Sequence, residues 1–403
     1  MNIPKLRFKE FTDEWIAIKL NDISKTFDYG MNVASTSFDG KNKYIRITDI
    51  DDVSHKFLKT NIVSPSGSLE DKYLVKNDDI LFARTGASTG KTYLYNSNDG
   101  ILYFAGFLIR INVLKSYNSY FIFQNTLTKK YTDWVKVESI RSGQPGINAE
   151  QYKSYSIKCP TLAEQNKIAN FLTTVDKKIT NLENTITSLE NQKKGLLQQI
   201  FSQKLRFKDK NGNNYPNWEK KKLGDICKFT GGGTPSTSIL KYWNGTIPWI
   251  SSSDLQTNTI HKIKISRYIT NEAVSNSSTK IIPKNSILIV SRVGVGKVAI
   301  SNCVLCTSQD FTNITEINGN TTFYAYLLKY KMEQLTQNTQ GTSIKGITTS
   351  DIKNIKLIVP IEQTEQTKIA DFLSAFDRKL DNQKAQLEHW QQIKKGLLQQ
   401  MFV

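Results

Sequence analysis

The chain has 403 residues, with 54 Lys+Arg against 36 Asp+Glu and a formal net charge of +18. That length holds two or three domains with cores of their own, and the basic excess is the footprint expected of a nucleic-acid binder. No stretch reaches the roughly 20 apolar residues of a spanning helix. The start MNIPKLRFKEF lacks the apolar core of a leader, so the expected location is the cytoplasm, away from any membrane.

In chain order, residues 1–160 read as a first globular head. WIAIKLNDI (15–23), YIRITDI (44–50) and KNDDILFARTGASTGK (76–91) are short β-branched runs joined by Gly turns. Elements are mixed and alternation is weak, so the head is assigned to the α+β class. After Pro160 the pattern changes to a helix, 161–202. Its seam is Ile168, Leu172, Val175, Ile179, Leu182, Ile186 and Leu189, interrupted by Lys193 and resumed at Leu196 and Ile200. A 3.5-residue spacing sustained over five heptads predicts a coiled coil rather than a helix laid on one core.

The chain then repeats itself. QKLRFK (203–208) matches PKLRFK (4–9), and WEKKKLGDI (218–226) matches WIAIKLNDI. WISSSDL (249–255) lies opposite YIRITDI, and KNSILIVSRVGVGK (284–297) lies opposite 76–91. The second head, 203–360, ends at Pro360, and a second helix fills 361–403. Its seam is Ile369, Leu373, Phe376, Leu380, Gln383, Leu387, Trp390, Lys394, Leu397 and Met401. Residues 164–201 and 365–402 align without a gap at an offset of 201, with 18 of 38 positions identical. The architecture expected is therefore two α+β heads separated by two long helices that pair as an antiparallel coiled coil, with a pseudo-two-fold internal repeat. Gly195 and Gly396 recur in KKGLLQQ, which implies close approach of another backbone or a helix nearing its end. The same KK…QQ face, taken as exposed, nominates Lys193, Lys194, Gln198, Lys394, Lys395 and Gln399 for docking a partner protein twice.

Motifs that would carry chemistry fail on spacing. GASTGKT (86–92) has three residues between its glycines where a phosphate-wrapping loop needs four, and GVGK (294–297) is shorter still, so a turn is expected. FTGGGTP (229–235) resembles a methyl-donor-binding glycine loop, but FDYGMN (27–32) opposite it lacks the glycines, and no segment is suited to gripping an extruded base. The carboxylate pair Asp78–Asp79 is unmatched in the second half, and His55, His261 and His389 show no recurrence between the halves. Cys303-Val-Leu-Cys306 is a lone CxxC without further ligands, so no metal site is expected. No catalytic residue is nominated. What remains are polar loops: ESIRSGQPGIN (138–148) with Arg141, Ser142 and Gln144, and NTQGTSIKGIT (338–348) with Gln340, Thr342, Ser343 and Lys345. Arg and Gln make bidentate bonds to guanine and adenine edges, and Ser, Thr and Lys take phosphate.

The chain resembles the specificity subunit of type I restriction–modification systems over essentially its whole length. The resemblance rests on the tandem arrangement and W…KLxDI at the head of each half. It also rests on GGGTPSTSILKYWNGTIPWISSSDL (231–255), the IL…R…GK segments (80–91, 287–297), and P…EQxKIAxFL…D with KKGLLQQ in both helices. The first half departs from the family pattern, with FDYGMNVAS in place of the glycine stretch. The resemblance implies two target recognition domains, each reading one half of a split double-stranded DNA sequence, with the conserved helices as spacer. It adds Arg84, Thr85, Lys91, Ser251, Ser252, Ser253, Arg292 and Lys297 to the candidate DNA contacts. It implies a non-catalytic chain that binds no cofactor itself. Its expected partners are two adenine-specific DNA methyltransferase subunits and two restriction–translocase subunits, which would use S-adenosylmethionine, ATP and magnesium. The competing expectation is a basic coiled-coil adaptor that binds proteins without sequence-specific DNA readout.

Overall fold

The computed structural model describes residues 3–140, 144–337 and 346–403. The chain divides into two compact units, Met1–Glu183 with Gln386–Val403, and Asn184–Ala385. Each unit therefore holds one head, the start of the helix that follows it and the end of the other helix.

In the first unit the central sheet is antiparallel, in the order Ser24–Tyr29, Leu108–Val113, Asp79–Ala83, Thr92–Leu94. The second unit repeats it as Cys227–Gly231, Phe311–Ile317, Ile287–Val290, Val298–Ile300. The inner strand reads as an unbroken apolar run because both of its faces are covered. Ile80 and Phe82 enter the core shared with the helices, while Leu81 and Ala83 enter a separate cluster on the opposite face. Ile287 and Ile289, against Leu288 and Val290, divide in the same way. Alternating side chains leave a strand on opposite faces, which generates this division.

The second face carries the differences between the heads. In the first unit Lys43–Ile45 pairs in parallel with Leu102–Phe104, beside a separate ribbon of Ser35–Ser37 and Val63–Pro65. In the second unit the parallel pair Ile247–Ile250 and Leu305–Thr307 grows into a four-stranded sheet, flanked by Arg267–Ile269 and Ile281–Ile282. Each head is closed by an antiparallel ribbon between its first and last strands, Ile16–Lys19 with Ser156–Cys159 and Glu219–Lys222 with Lys356–Val359.

The long helices span Leu162–Phe201 and Gln363–Met401. At about 1.5 Å per residue each is about 60 Å long. Their first turns explain the repeated EQ pair. Glu164 receives Arg7 in a bidentate pair at 2.7 and 2.8 Å and the Trp15 indole at 3.3 Å. Gln165 bonds Pro160 O at 2.9 Å and accepts the Asn118 amide at 3.0 Å. Glu365 with Arg206, and Gln366 with Pro360 and Asn320, repeat both devices. These contacts tie the start of the chain, the end of the last strand and a short helix to one helical turn.

Within the first unit Ile168 and Leu172 cluster with Leu398, Met401 and Phe402, and Lys394 pairs with Asp176 at 2.8 Å. Within the second, Leu197 and Ile200 cluster with Ile369 and Leu373, Lys193 pairs with Asp377, and Lys384 pairs with Glu190 at 2.6 Å. In both units the partner number falls as the residue number rises, so the helices run antiparallel. Asp176 and Lys394 correspond to Asp377 and Lys193 at the 201-residue offset. The two pairs are therefore pseudo-two-fold images of one contact.

The seam is buried at every expected position from Ile168 to Leu189. It then departs from the heptad reading: Leu197 is buried while Leu196 is half-buried, and Asp377 is buried beside a half-buried Phe376. Close backbone approach does not account for the glycines, because a Cβ built on Gly195 or Gly396 meets nothing within 4 Å. Both lie one to two turns from the helix end. Among the described residues, no helix is long and apolar enough to cross a membrane.

Candidate nucleic-acid interface

The fold brings distant candidate segments together. In the first head Thr85 bridges Gly146, Gly86 N bonds Pro145 O at 2.9 Å, and Ile147 N bonds Arg84 O at 2.9 Å. Gln144, exposed, lies with its amide against Gly86. The second head repeats the junction, with Ile347 N on Ser291 O at 2.7 Å. Arg141 and Ser142, and Gln340, Thr342, Ser343 and Lys345, lie outside the described residues.

These junctions set the correspondence between the heads. Arg84 N bonds Phe107 O, and Ser291 N bonds Asp310 O. Arg84 is thus the structural counterpart of Ser291, and Arg292 corresponds to Thr85. The two arginines, which fall in matching segments of the sequence, sit one position apart. Arg292 is exposed.

Arg84 is half-buried and held in one orientation. Its Nε donates to Gly106 O at 3.0 Å, and its guanidinium lies 5.0 Å from the centre of the Tyr29 ring. It lines a cleft of about 520 Å³ with Tyr29, Asn32, Arg46, Thr48 and Phe107. Arg46 pairs with Asp49 through Nε and Nη2, both at 2.8 Å. Phe107 is 56% exposed. None of these neighbours was nominated from sequence. The signal available was the cluster of aromatic and basic residues in FDYGMN, YIRITDI and YFAGF.

Lys91 and Lys297 turn inward. The Lys91 ammonium bonds Ile50 O at 2.9 Å and Asp52 at 2.5 Å, and the Lys297 ammonium bonds Ser252 O at 2.9 Å. Each ties the Gly-Lys turn to the short 3-10 helix Ile47–Asp49 or Ser252–Asp254. The preceding glycines have φ of +86° and +102°, and their Cβ positions are crowded by Val135 and Thr336. Only glycine fits there. The phosphate-loop likeness of GASTGK is thus a packed turn. Ser251 Oγ accepts Arg267 at 2.7 Å and meets Ser253 Oγ at 2.9 Å, while Arg267 also pairs with Asp254 and lies 4.6 Å over Trp249.

On the helices, the exposed face expected from KK…QQ splits. Lys193 is buried on Asp377, with side chains 8% and 6% exposed, and Lys394 is half-buried on Asp176. Position 193 belongs to the seam, so a carboxylate across the helix pair claims its charge. Lys194, Gln198, Lys395 and Gln399 are exposed.

His55 and His261 do recur, contrary to the sequence reading. The hairpin bridges Ile50–Phe57 and Leu255–Ile263 place them at equivalent positions. Burial lowers the pKa of both. His55 Nδ1 meets Thr92 O at 2.8 Å, and His261 Nε2 meets the Tyr326 hydroxyl at 3.0 Å. Each ring is partly buried and engaged by its neighbours: the Thr92 hydroxyl also lies 3.3 Å from His55 Nδ1, and the Tyr326 hydroxyl next to His261 donates to the Asp377 carboxylate. Burial also raises the Cys306 thiol to about 11 and Cys159 to about 12, well away from a reactive thiolate. Among the described residues no cluster of His, Cys, Asp or Glu could hold a metal ion.

The family model for the type I restriction modification DNA specificity domain matches residues 12–191 and 215–389, one match per copy. This chain belongs to that family. Among curated members it is 36% identical over 208 residues to the MjaIX specificity subunit of Methanocaldococcus jannaschii, spanning 50% of this chain and 48% of that one. It is 25% identical over a 422-residue alignment to the putative MjaX specificity subunit of the same organism, covering 98% and 95%. It is 30% identical over 244 residues to the EcoR124I/EcoR124II specificity subunit of Escherichia coli, covering 57% of each. The chain thus spans about half the length of the first of these relatives and nearly all of the second. The fold matches the crystal structure of the type I system S subunit from M. genitalium with a TM-score of 0.61, at 17% identity, covering 100% and 99% of the two chains. A chain from work on complex assembly and conformational transition of the type I R-M system matches at 0.55, also at 17% identity, covering 95% and 96%.

Proposed function

We propose that this chain is the specificity subunit of a type I restriction–modification complex, each head reading one half of a bipartite duplex DNA target. The observation that carries the reading is the duplicated family match on a strongly basic chain whose two heads share a frame and differ on one face. The long helices act as the spacer, and the exposed Lys194, Gln198, Lys395 and Gln399 are the residues left to dock methyltransferase subunits. The chain itself is non-catalytic and cytoplasmic. Two adenine methyltransferase subunits supply methyl transfer from S-adenosylmethionine, and two restriction–translocase subunits use ATP and magnesium. DNA contacts come from the loop junctions around residues 84–86 and 144–147, and around 291–292 and 346–347.

The test is to co-express the chain with its neighbouring methyltransferase subunit in a host lacking adenine methylation, then to map methylated adenines by single-molecule sequencing. A split motif with a fixed gap is expected. Scattered methylation, or none from a stable complex, would overturn the reading.

A further inference from the structure

We propose that the cleft of the first head is a base-reading site in which Arg84 recognises one guanine of the first half-site. This rests on the specificity-subunit reading and deepens it. The argument is geometric. An arginine reads guanine by placing two parallel N–H donors on O6 and N7, which requires a guanidinium fixed in both plane and direction. Arg84 meets that requirement. Its Nε is committed to Gly106 O at 3.0 Å, its guanidinium carbon sits 5.0 Å from the centre of the Tyr29 ring, and it borders a cleft of about 520 Å³. Among the described contacts, its terminal nitrogens have no hydrogen-bond or ion-pair partner. A guanidinium held by Nε and by a cation–π contact, with its outer edge open, is arranged for bidentate donation.

The surroundings favour a base over a phosphate. Arg46, the other arginine of the cleft, is neutralised by Asp49. Asn32 and Thr48 supply amide and hydroxyl groups, and Phe107 presents an exposed apolar ring at the rim. Such a rim suits a base edge or a thymine methyl. The second head has Ser291 at the Arg84 position, and this serine is buried, with its hydroxyl on Asp310 O at 3.1 Å. That head cannot read guanine in the same way, so the contact belongs to one half-site alone.

The experiment compares methylomes of the wild-type complex and complexes carrying Arg84→Lys or Arg84→Gln. Replacing residues 1–160 by another head first assigns which half-site belongs to this head. Expected is a half-site containing a guanine whose preference falls about ten- to hundredfold in both variants, with the other half-site unchanged. Arg84→Gln should shift that position toward adenine, the base that glutamine reads bidentately. Arg84→Lys keeps the charge but not the fork. A motif unchanged in Arg84→Lys, or a first half-site without a guanine on either strand, would overturn the assignment to base reading. A uniform loss of methylation over an unaltered motif would mark Arg84 as a phosphate contact and overturn it equally. A wild-type chain that yields no split motif would instead sink the specificity-subunit reading.

Discussion

Lys193 and Lys394 are equivalent in sequence and unequal in burial, which makes them a test of how the helix pair is held. The Lys193–Asp377 side chains are 8% and 6% exposed, against 18% and 30% for Lys394–Asp176. Lys193→Met preserves the aliphatic stem but leaves the Asp377 carboxylate buried with the Tyr326 hydroxyl, at 2.7 Å, as its hydrogen bond and the His261 ring, held toward neutrality by burial, at 3.8 Å. Breaking a fully buried pair on one side costs about 3–5 kcal/mol, whereas a pair whose carboxylate is partly reached by water contributes about 1 kcal/mol. For a unit of about 200 residues that is a fall in Tm of roughly 6–20 °C for Lys193→Met, against roughly 2–4 °C for Lys394→Met. Differential scanning calorimetry of the full chain reads both. The double variant Lys193→Met/Asp377→Asn removes the stranded charge and keeps an acceptor for Tyr326, so most of the lost stability should return. Equal shifts for the two lysine variants, or no recovery in the double variant, would refute the account of Lys193 as the cation that balances the buried Asp377 charge.

Further outcomes follow from single positions. Lys329 is 5% exposed, and burial beside Lys193 lowers its pKa to about 8. A depressed lysine means that the unfolded chain binds more protons between pH 8 and about 10.5, so stability is lost as pH falls through that window. Lys329→Met should therefore raise stability at pH 7, by on the order of 3 kcal/mol, and flatten the alkaline limb in urea titrations at several pH values. Gly195→Ala and Gly396→Ala should each stabilise by about 1 kcal/mol, since nothing crowds the added methyl; destabilisation in chemical unfolding would contradict the open surroundings. Exchanging residues 1–160 for another head should change one half-site of the methylation motif and leave the other alone, and a change in both would show that the heads do not read independently.

The helices were the most legible part of the chain because a 3.5-residue period needs no knowledge of the partner. The period misled where charge or helix ends intervene, and in the middle of the second helix, where Leu387 and Trp390 are half-buried. Asp377 is buried at a position the heptad leaves outside because Lys193 faces it, and Leu197 replaces Leu196 near the end of the first helix. The loops were legible as segments and not as residues. Lys91 and Lys297 were candidate DNA contacts, and their ammoniums close turns onto backbone carbonyls, a use that sequence cannot distinguish from exposure. The recurrence of His55 and His261 was hidden because insertions move their offset to 206 residues while the helices keep 201.

The pattern of likeness between the heads follows from which groups hold the fold. Both heads cap the 3-10 helix with a carboxylate on the amide three residues earlier, Asp49 on Arg46 N at 2.9 Å and Asp254 on Ser251 N at 2.8 Å. Both brace it with a lysine on a backbone carbonyl. The partners in these contacts are main-chain groups, which any residue supplies. The main-chain part of the turn does not depend on the side chains at 46–48 and 251–253, which are Arg-Ile-Thr in one head and Ser-Ser-Ser in the other; Arg46 and Ser251 add side-chain bonds of their own to Asp49 and Asp254. Arg84 against Ser291 obeys the same rule, since their main-chain bonds to Phe107 and Asp310 are common and their side chains are not. A frame fixed through its backbone lets the side chains of each head vary one at a time, which is what the proposed reading of two different half-sites requires.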